Sequence, residues 1–175
     1  MSVQKILKTG LRKRGADGLE AIVFIDGDER STDERWAEVR KLVQPKVELG
    51  CAIWLEDGTK VTLPFTALPW ILPDRTGVLV LFESGEYTHQ DGTDVFAPPN
   101  NAAIYNADGS LRFQLRFPAG DFSGRIGGIH SGSMPDKFEG MMGVVAGSAQ
   151  GMPEWVYAVD PNSPELISTG QWVRW

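Results

Sequence analysis

Apolar and polar residues alternate along several short stretches of this chain, and the alternation is its clearest structural signal. Residues 111–117 alternate strictly between the two classes, and residues 60–63 do the same. Because successive side chains of a β-strand point to opposite faces, each stretch predicts a strand with one packed and one solvated face. Residues 78–82 are continuously apolar instead, which indicates a strand covered on both faces.

A seven-residue segment with the pattern A-I-x-x-x-D-G recurs along the chain. It occurs at residues 21–27, 52–58 and 103–109, with a degenerate copy that ends in proline at residues 155–161. Five strand-forming residues followed by Asp-Gly are typical of a strand entering a tight hairpin, because glycine accepts positive φ and aspartate caps its own turn. The returning strands are predicted at residues 59–65 and 110–117, and Asp26 is interpreted as a turn residue.

One segment is helical by pattern. Ser31 and Glu34 form a capping box, and Pro45 ends the pattern. The apolar residues between them share one helical stripe: Trp36, Val39, Leu42 and Val43. The sequence therefore predicts one amphipathic helix near residues 32–43, and a weaker helical pattern covers residues 3–11.

The rest of the chain predicts further strands and two long loops. The strands are expected at residues 68–72, 77–82, 141–146, 155–159 and 169–175. Residues 84–101 and 119–139 are rich in glycine, proline and polar residues and are the predicted loops. Long loops on β scaffolds often carry binding sites.

Together these elements predict a mostly β protein. We expect a single antiparallel β domain spanning residues 1–175, built as a meander, a sandwich, a barrel or a small propeller-like arrangement. A chain of 175 residues can bury a core unaided, and no linker or change of composition divides it.

Charge is distributed unevenly along the chain. The net charge is −6, yet residues 1–14 carry five bases and no acid, which leaves 12 bases against 23 acids in the rest. We interpret residues 1–14 as a frayed, solvated segment, with contact to nucleic acid or anionic lipid as the alternative. The acidic body repels nucleic acid and favours cations or a basic protein partner.

Two long windows of the acidic body contain no lysine or arginine. Residues 76–111 hold the acids Glu83, Glu86, Asp91, Asp94 and Asp108. Residues 138–173 hold the acids Glu139, Glu154, Asp160 and Glu165. These windows, the first above all, are the predicted binding surface for a basic partner.

The single cysteine, Cys51, lies in the apolar run of residues 51–55, so no disulfide framework is possible and a reducing compartment fits best. No apolar block of signal-peptide or membrane-spanning length follows the basic start. We therefore expect a cytoplasmic protein that does not contact membranes. The sequence predicts no cofactor and leaves the oligomeric state open.

The strand, Asp-Gly turn and returning strand of residues 103–111 resemble the blade hairpins of β-propellers. In overall type, a short, acidic, mostly β chain without a catalytic motif also resembles the immunity proteins that bacteria keep beside secreted toxins. The first resemblance implies repeated antiparallel hairpins. The second implies an inhibitor that binds a protein partner.

Residues 22–28 resemble the first motif of haloacid-dehalogenase-like phosphatases, in which a strand ends in two aspartates one residue apart. That resemblance implies Asp26 as nucleophile, Asp28 as acid and base, and magnesium held by both. The family also requires a parallel sheet, whereas this chain predicts antiparallel hairpins. A plain turn is therefore the favoured interpretation of both aspartates.

Two loop segments carry further candidate binding residues. His89, Asp91 and Asp94 surround a glycine with oxygen ligands that suit calcium, but the loop has no closing bidentate acid and is interpreted as solvated. Residues 124–133 include Arg125 and His130 among glycines and hydroxyls. This segment lacks the lysine of a phosphate loop and is interpreted as a flexible loop, with a ligand-gripping loop as the alternative.

The six tryptophans are interpreted mainly as core and sheet-edge residues, although an exposed cluster among Trp70, Trp172 and Trp175 would mark a binding face.

We predict no catalytic and no metal-binding residue. The leading hypothesis is a non-enzymatic protein whose acidic surface binds a basic protein. Its most concrete form is an immunity-type inhibitor. The alternatives are a small phosphatase-like hydrolase using Asp26, Asp28 or His130, and a small-molecule or sugar binder using tryptophans. The candidate binding residues are Glu83, Glu86, His89, Asp91, Asp94, Arg125 and His130.

Overall fold

The computed structural model describes residues 4–120, 124–148 and 151–173, and within them the protein is mostly β. The strands are β1 (Ile6–Arg14), β2 (Glu20–Asp26), β3 (Val47–Leu55), β4 (Lys60–Leu63), β5 (Pro69–Ile71), β6 (Gly77–Leu81), β7 (Ala102–Asn106), β8 (Leu111–Gln114), β9 (Arg125–Ile129), β10 (Met142–Ser148), β11 (Gly151–Val159) and β12 (Ile167–Val173). The helix α1 spans Thr32–Arg40, and two short 3-10 helices span Ser131–Ser133 and Asp136–Phe138. The predicted fold class is confirmed.

The strands form three open, four-stranded antiparallel sheets. Their orders are β2-β1-β3-β4, β5-β6-β7-β8 and β12-β11-β10-β9. The last two follow chain order, which is the order of a meander. The likeness to propeller blades stays a prediction.

Contacts divide the chain into two compact units. The first contains the described residues up to Val80 together with Tyr105–Ser110, and the second contains Leu81–Ile104 and the described residues from Leu111 onward. The single domain expected over residues 1–175 stays a prediction.

In the first unit, β1 lies between β2 and β3 and is paired antiparallel to both. The frayed segment expected over residues 1–14 and the weak helix expected over residues 3–11 are therefore wrong for residues 6–14. Arg12 Nη2 lies 2.8 Å from Glu20 Oε2, Lys13 Nζ lies 3.0 Å from Glu48 Oε1, and Leu11 is buried. Cross-strand pairing of the charges allows so basic a segment to form an inner strand. Residues 1–3 lie outside the described residues.

The core of the first unit lies against the inner face of this sheet. Leu11, Cys51 and Ile53 are buried side by side on adjacent strands. The thiol of Cys51 donates to the carbonyl of Ala67 at 3.0 Å, which is the contact of a buried structural cysteine. Phe65 packs against Tyr105 with ring centroids 5.2 Å apart.

The Asp-Gly segments adopt two different structures. Asp57 turns the chain from β3 to β4 and accepts the Thr59 N–H at 2.8 Å, as predicted. Asp26 ends β2 without a hairpin, and its Oδ2 accepts the Ile71 N–H of β5 at 2.8 Å. The interpretation of Asp26 as a turn residue that caps itself is therefore wrong, since its carboxylate holds a different strand.

The turn seen at Asp57, in which a carboxylate accepts the N–H two residues later, recurs through the described chain. It is formed by Asp17, Asp28, Asp57, Asp74, Asp91, Asp108 and Asp160. Such Asx turns stabilise a reversal of the backbone locally. Seven of the 23 acids of this chain therefore serve its turns.

Helix α1 begins as predicted, at a complete capping box. Glu34 N–H donates to Ser31 Oγ at 3.3 Å, and Ser31 N–H donates to Glu34 Oε2 at 2.8 Å. The helix ends at Arg40, three residues before the predicted limit. Of the predicted apolar stripe, Val39 and Leu42 are buried, whereas Trp36 is exposed.

In the second unit, β9 to β12 form a four-stranded meander with Val144, Val156 and Ala158 fully buried. Tyr157 packs edge-on against Phe117 at 5.1 Å between ring centroids. The long loop predicted over residues 119–139 is wrong for residues 125–129, which form β9. Glycine-rich strands carry few packing side chains, so their pattern resembles that of a loop.

Candidate functional site

The candidate binding surface of the second unit is the segment between β6 and β7, whose residues 83–94 we call the acidic loop. It is a loop, as predicted, but it is held by its own hydrogen bonds. The His89 N–H donates to the Thr93 carbonyl at 2.8 Å, and the Val95 N–H donates to the Tyr87 carbonyl at 2.9 Å. These bonds close a small hairpin with His89 beside its tip.

An aromatic cluster supports the acidic loop from below. Phe82 stacks on Phe96 with centroids 5.0 Å apart and on Tyr87 at 5.6 Å. Phe82 and Phe96 are buried. Aromatic stacking adds to the burial of apolar area, so both ends of the loop are fastened to the same cluster.

Glu83, Glu86 and Arg125, three of the predicted binding residues, are brought together. Glu83 Oε1 lies 2.6 Å from Arg125 Nη2, and both side chains are at least half exposed. Glu86 Oε2 accepts the Glu83 N–H at 3.0 Å. The pair of Glu83 with Arg125 joins the acidic loop to β9, and an exposed ion pair of this kind contributes little to stability.

Asp94 fastens the first turn of the acidic loop. Its carboxylate accepts the Gly85 N–H at 2.7 Å and the Ser84 hydroxyl at 2.8 Å. The Gly85 N–H, and next the Ser84 hydroxyl, lower the pKa of Asp94 from its ordinary value. The group therefore stays negatively charged near neutral pH.

Asp91 forms the Asx turn at the tip. It accepts the Thr93 hydroxyl at 2.6 Å and the Thr93 N–H at 3.0 Å, and these two bonds, the hydroxyl first, lower the pKa of Asp91. Among the described residues, no three His, Cys, Asp or Glu side chains are placed to hold one metal ion.

His130 lies at the end of β9, where its Nε2 is 2.7 Å from Ser133 Oγ. The Ser131 hydroxyl accepts the Gly143 N–H at 3.0 Å, and the His130 N–H donates to the Gly143 carbonyl at 2.8 Å. The imidazole of His130 and the hydroxyl of Ser131 therefore contact different residues, Ser133 and Gly143. The sequence analysis did not single out Ser133, and its spacing of three residues from His130 across a 3-10 helix is the signal that could have found it.

Asp26 and Asp28 of the phosphatase hypothesis are engaged separately in the first unit. Asp26 holds the Ile71 N–H, as described above. Asp28 Oδ2 lies 2.7 Å from Arg30 Nη2, and this hydrogen-bonded guanidinium is the main cause of the lowered pKa of Asp28.

The tryptophans are more exposed than the sequence predicts. Four have exposed side chains: Trp36, Trp70, Trp155 and Trp172. Trp155 and Trp172 are opposite each other on β11 and β12. Trp54 is half-buried, with the ammonium groups of Lys8 and Lys60 at 5.6 and 5.8 Å from its ring. Trp70 on β5 and Trp172 on β12 lie on edge strands, as the sheet-edge interpretation expects, whereas that interpretation is wrong for Trp36 on α1 and Trp155 on the inner strand β11. Trp175 lies outside the described residues.

The structure also gives a role to Asn101, which the sequence analysis placed at a loop end. Asn101 is buried, and its side chain makes hydrogen bonds to the backbone of Phe82 and Ile126. It thereby fixes the acidic loop and β9 to each other. A single polar residue after two prolines leaves no periodic signal by which this role could have been found.

The nature of the chain is not indicated by likeness to other proteins. No family model matches it, and neither a curated protein nor a solved structure is significantly similar to it. Nor does any helix among the described residues combine the length and the apolar character needed to cross a bilayer.

Proposed function

We propose that this chain is a non-enzymatic binding protein whose acidic loop engages a basic protein partner. The observation that carries the proposal is a set of four carboxylates on the ordered acidic loop: Glu83, Glu86, Asp91 and Asp94. The surrounding sequence, from residue 76 to residue 111, contains no lysine or arginine. Complementary charge of this kind steers association and selects partners.

The backbone of the acidic loop is ordered before any partner binds, which supports the use of the loop as a binding surface. Hydrogen bonds within the loop and the stacked rings of Phe82 and Phe96 already hold its backbone. A loop that is ordered before binding loses less conformational entropy when the complex forms, so more of the contact energy appears as affinity. The lowered pKa values of Asp91 and Asp94 keep both groups charged for the encounter.

Arg125 is the cation that a partner would replace. It pairs with Glu83 at 2.6 Å while half of its side chain remains exposed. A lysine or arginine of the partner can take its place on Glu83, so we expect Arg125→Gln to strengthen binding. Tighter binding by that variant would show that Glu83 belongs to the contact.

The most specific form of the proposal is an immunity-type inhibitor acting in the cytoplasm. The partner would then be a basic enzyme whose activity falls when the acidic loop covers it. The lone, buried and reduced Cys51 agrees with a reducing compartment.

The proposal is tested by capturing partners from lysate with a matched pair of triple variants. Glu83→Gln, Glu86→Gln and Asp91→Asn remove three charges from the loop while keeping the acceptor atoms that its turns use. Asp17→Asn, Glu56→Gln and Asp57→Asn remove three charges outside the two windows without lysine or arginine and conserve Asx turns in the same way.

We expect a partner that the wild type and the second variant capture at low salt, and that high salt or the first variant releases. Equal capture by the two variants would contradict the role of the loop. Absence of any partner at both salt concentrations would contradict the proposal as a whole.

A second candidate, hydrolase activity, is supported by the contact between His130 and Ser133. A serine hydroxyl 2.7 Å from an imidazole nitrogen is the geometry of an activated nucleophile. Turnover of a generic ester that is abolished by Ser133→Ala and His130→Ala, and kept by Ser131→Ala, would support it. Absence of turnover, or turnover untouched by these changes, would remove it.

A further inference from the structure

Three exposed apolar residues lie at one end of the sheet of the first unit. β1 ends at Arg14, which pairs with Glu20 at the start of β2 and with Val47 at the start of β3. The turn that follows β1 and the segment that leads into β3 therefore lie at the same end. Leu19, Val43 and Val47 are 58%, 49% and 52% exposed, and we call these three residues the apolar tip.

Backbone contacts hold the two segments of the apolar tip together. The Ala16 N–H donates to the Val43 carbonyl at 3.0 Å, and the Gly15 N–H donates to the Leu19 carbonyl at 2.8 Å. A Cβ on Gly15 would lie 2.8 Å from the backbone nitrogen of Val43, so only glycine permits this close approach. Both segments of the apolar tip are therefore held in place before any ligand binds.

Cations outnumber acids around the apolar tip. Residues 12–20 and 38–48 hold six cations and four acids. Three of the acids lie 3.0 Å or less from a cation, in the pairs Arg12–Glu20, Lys13–Glu48 and Lys41–Glu38.

The remaining charged groups give the surroundings of the apolar tip a net positive charge. The exposed Arg14 and Arg40 take part in no ion pair among the described residues. Lys46 directs its ammonium to a carbonyl of α1 at 3.2 Å. The fourth acid, Asp17, accepts the Leu19 N–H at 3.2 Å in an Asx turn. Three cations therefore remain against one carboxylate.

We infer that the apolar tip binds the surface of an anionic lipid bilayer. Apolar side chains enter the boundary between headgroups and acyl chains, and each lysine or arginine near an anionic surface strengthens binding about fivefold. The chain carries −6 overall, but salt screens exposed charges that lie more than about 8 Å apart. The charges close to the bilayer therefore decide the interaction.

A protein is a less suitable occupant of the apolar tip. A specific interface buries roughly 800 Å² on each partner, and three half-exposed side chains supply only a small part of that area. Contact with a bilayer surface needs no such area and no membrane-spanning segment, so the hydropathy of the sequence does not reveal it. The inference concerns the first unit and does not depend on the acidic loop.

The test is co-sedimentation with vesicles of phosphatidylcholine alone and of equal parts phosphatidylcholine and phosphatidylserine. We expect binding to the anionic vesicles only, and weaker binding at higher salt. Leu19→Ser should weaken it at least about tenfold, because an apolar side chain no longer enters the bilayer. Leu7→Ser, at a residue that is 46% exposed at the start of β1 and so at the other end of the sheet, should leave binding unchanged.

A matched pair of charge variants tests the role of the cations. Arg14→Gln and Arg40→Gln should each weaken binding about fivefold. Lys8→Gln and Lys60→Gln remove the same charge at the opposite end of the sheet, where both residues pair with Trp54, and should leave binding unchanged. Asp17→Asn keeps its Asx turn but removes the unpaired carboxylate, and it should strengthen binding.

A fluorophore provides an independent readout of insertion. Cys51 is fully buried, so an environment-sensitive label reacts with Leu19→Cys or Leu7→Cys and not with the native thiol. The label at position 19 should shift to shorter wavelength with anionic vesicles, whereas the label at position 7 should not.

Four outcomes would overturn the inference. They are absence of binding to anionic vesicles, equal binding to neutral vesicles, equal effects of the tip variants and their controls, and self-association without vesicle binding that Leu19→Ser abolishes. The last result would show that a second copy of the chain occupies the apolar tip.

Discussion

The side-chain amide of Asn101 pairs with the backbone of Ile126 as a neighbouring strand would. Asn101 Nδ2 donates to the Ile126 carbonyl at 3.0 Å, and Asn101 Oδ1 accepts the Ile126 N–H at 2.8 Å. The same Nδ2 donates to the Phe82 carbonyl at 3.0 Å. One side chain, 1% exposed, therefore joins β9 to both ends of the segment that carries the acidic loop.

We expect Asn101→Ala to destabilise the protein by about 3 kcal/mol, because it leaves buried backbone groups of Phe82 and Ile126 without partners. Urea unfolding measures the loss. Gln114→Ala, which removes an exposed side-chain bond to the Asn100 carbonyl, is the control and should cost less than about 1 kcal/mol. Similar losses in the two variants would contradict the structural role of Asn101.

Gly50 and Gly58 both have positive φ, at 91° and 87°, but they differ in surroundings. A Cβ on Gly50 would lie 2.7 Å from the Leu63 carbonyl oxygen, whereas a Cβ on Gly58 would meet nothing within 4 Å. Gly58→Ala should therefore cost about 1 kcal/mol for its backbone conformation alone. Gly50→Ala should cost at least about 2 kcal/mol more, because the clash is with backbone.

Chemical denaturation of both variants tests this pair. Equal destabilisation would show that the close approach of the Leu63 carbonyl to Gly50 does not affect the free energy of unfolding.

Asp28 makes stability depend on pH on the acid side. Its pKa is lowered in the folded protein, chiefly by the hydrogen bond from Arg30, so its contribution is present above the ordinary aspartate value of about 3.9 and is lost as pH falls through the lower, folded value. Asp28→Asn should therefore destabilise the protein at about pH 6, and the difference from wild type should narrow towards about pH 2.

Urea unfolding at the two pH values measures that difference, and carboxyl NMR gives the pKa of Asp28 directly. Arg30→Gln should return that pKa towards its ordinary value. A difference in stability that is the same at both pH values would contradict the assignment.

The inner position of β1 predicts slow hydrogen exchange in a segment whose charge suggests fraying. The amides of β1 that pair with β2 and β3 should be protected about as strongly as those of β3, because exchange requires opening of the sheet. The amide of Glu29, an exposed residue in the connection between β2 and α1, provides the fast-exchanging comparison. Exchange of the β1 amides as fast as in that connection would contradict the strand.

Strands with an alternating or continuously apolar pattern were predictable, as β4, β6 and β8 show. The start of α1 was predictable too, because its capping box is a local signal. β1 was not predictable, because its lysines and arginines are offset by acids on other strands, and pairing across a sheet leaves no trace in local sequence. β9 was missed for a different reason, since its two glycines replace the packing side chains by which a strand is recognised.

Within the candidate site, the acidic composition of the loop was predictable, but its internal order was not. The contact of Glu83 with Arg125 spans 42 residues and depends on how β9 is placed. The same limit applies to Asn101, whose partner Ile126 is 25 residues away. The bonds that position this site are long-range, whereas the signals in the sequence are local.

The seven Asx turns require an acceptor oxygen and not its charge, so the net charge of the protein can be changed without changing these hydrogen bonds. Asparagine offers the same Oδ1 to the same N–H, so exchanging all seven aspartates would raise the formal net charge by seven, from −6 to +1, with every turn conserved. We expect the result to be a less stable molecule, since Asp28 also pairs with Arg30, that keeps the same turns and migrates towards the opposite electrode. Its retention on ion-exchange resins would change even though the hydrogen bonds that form its turns do not.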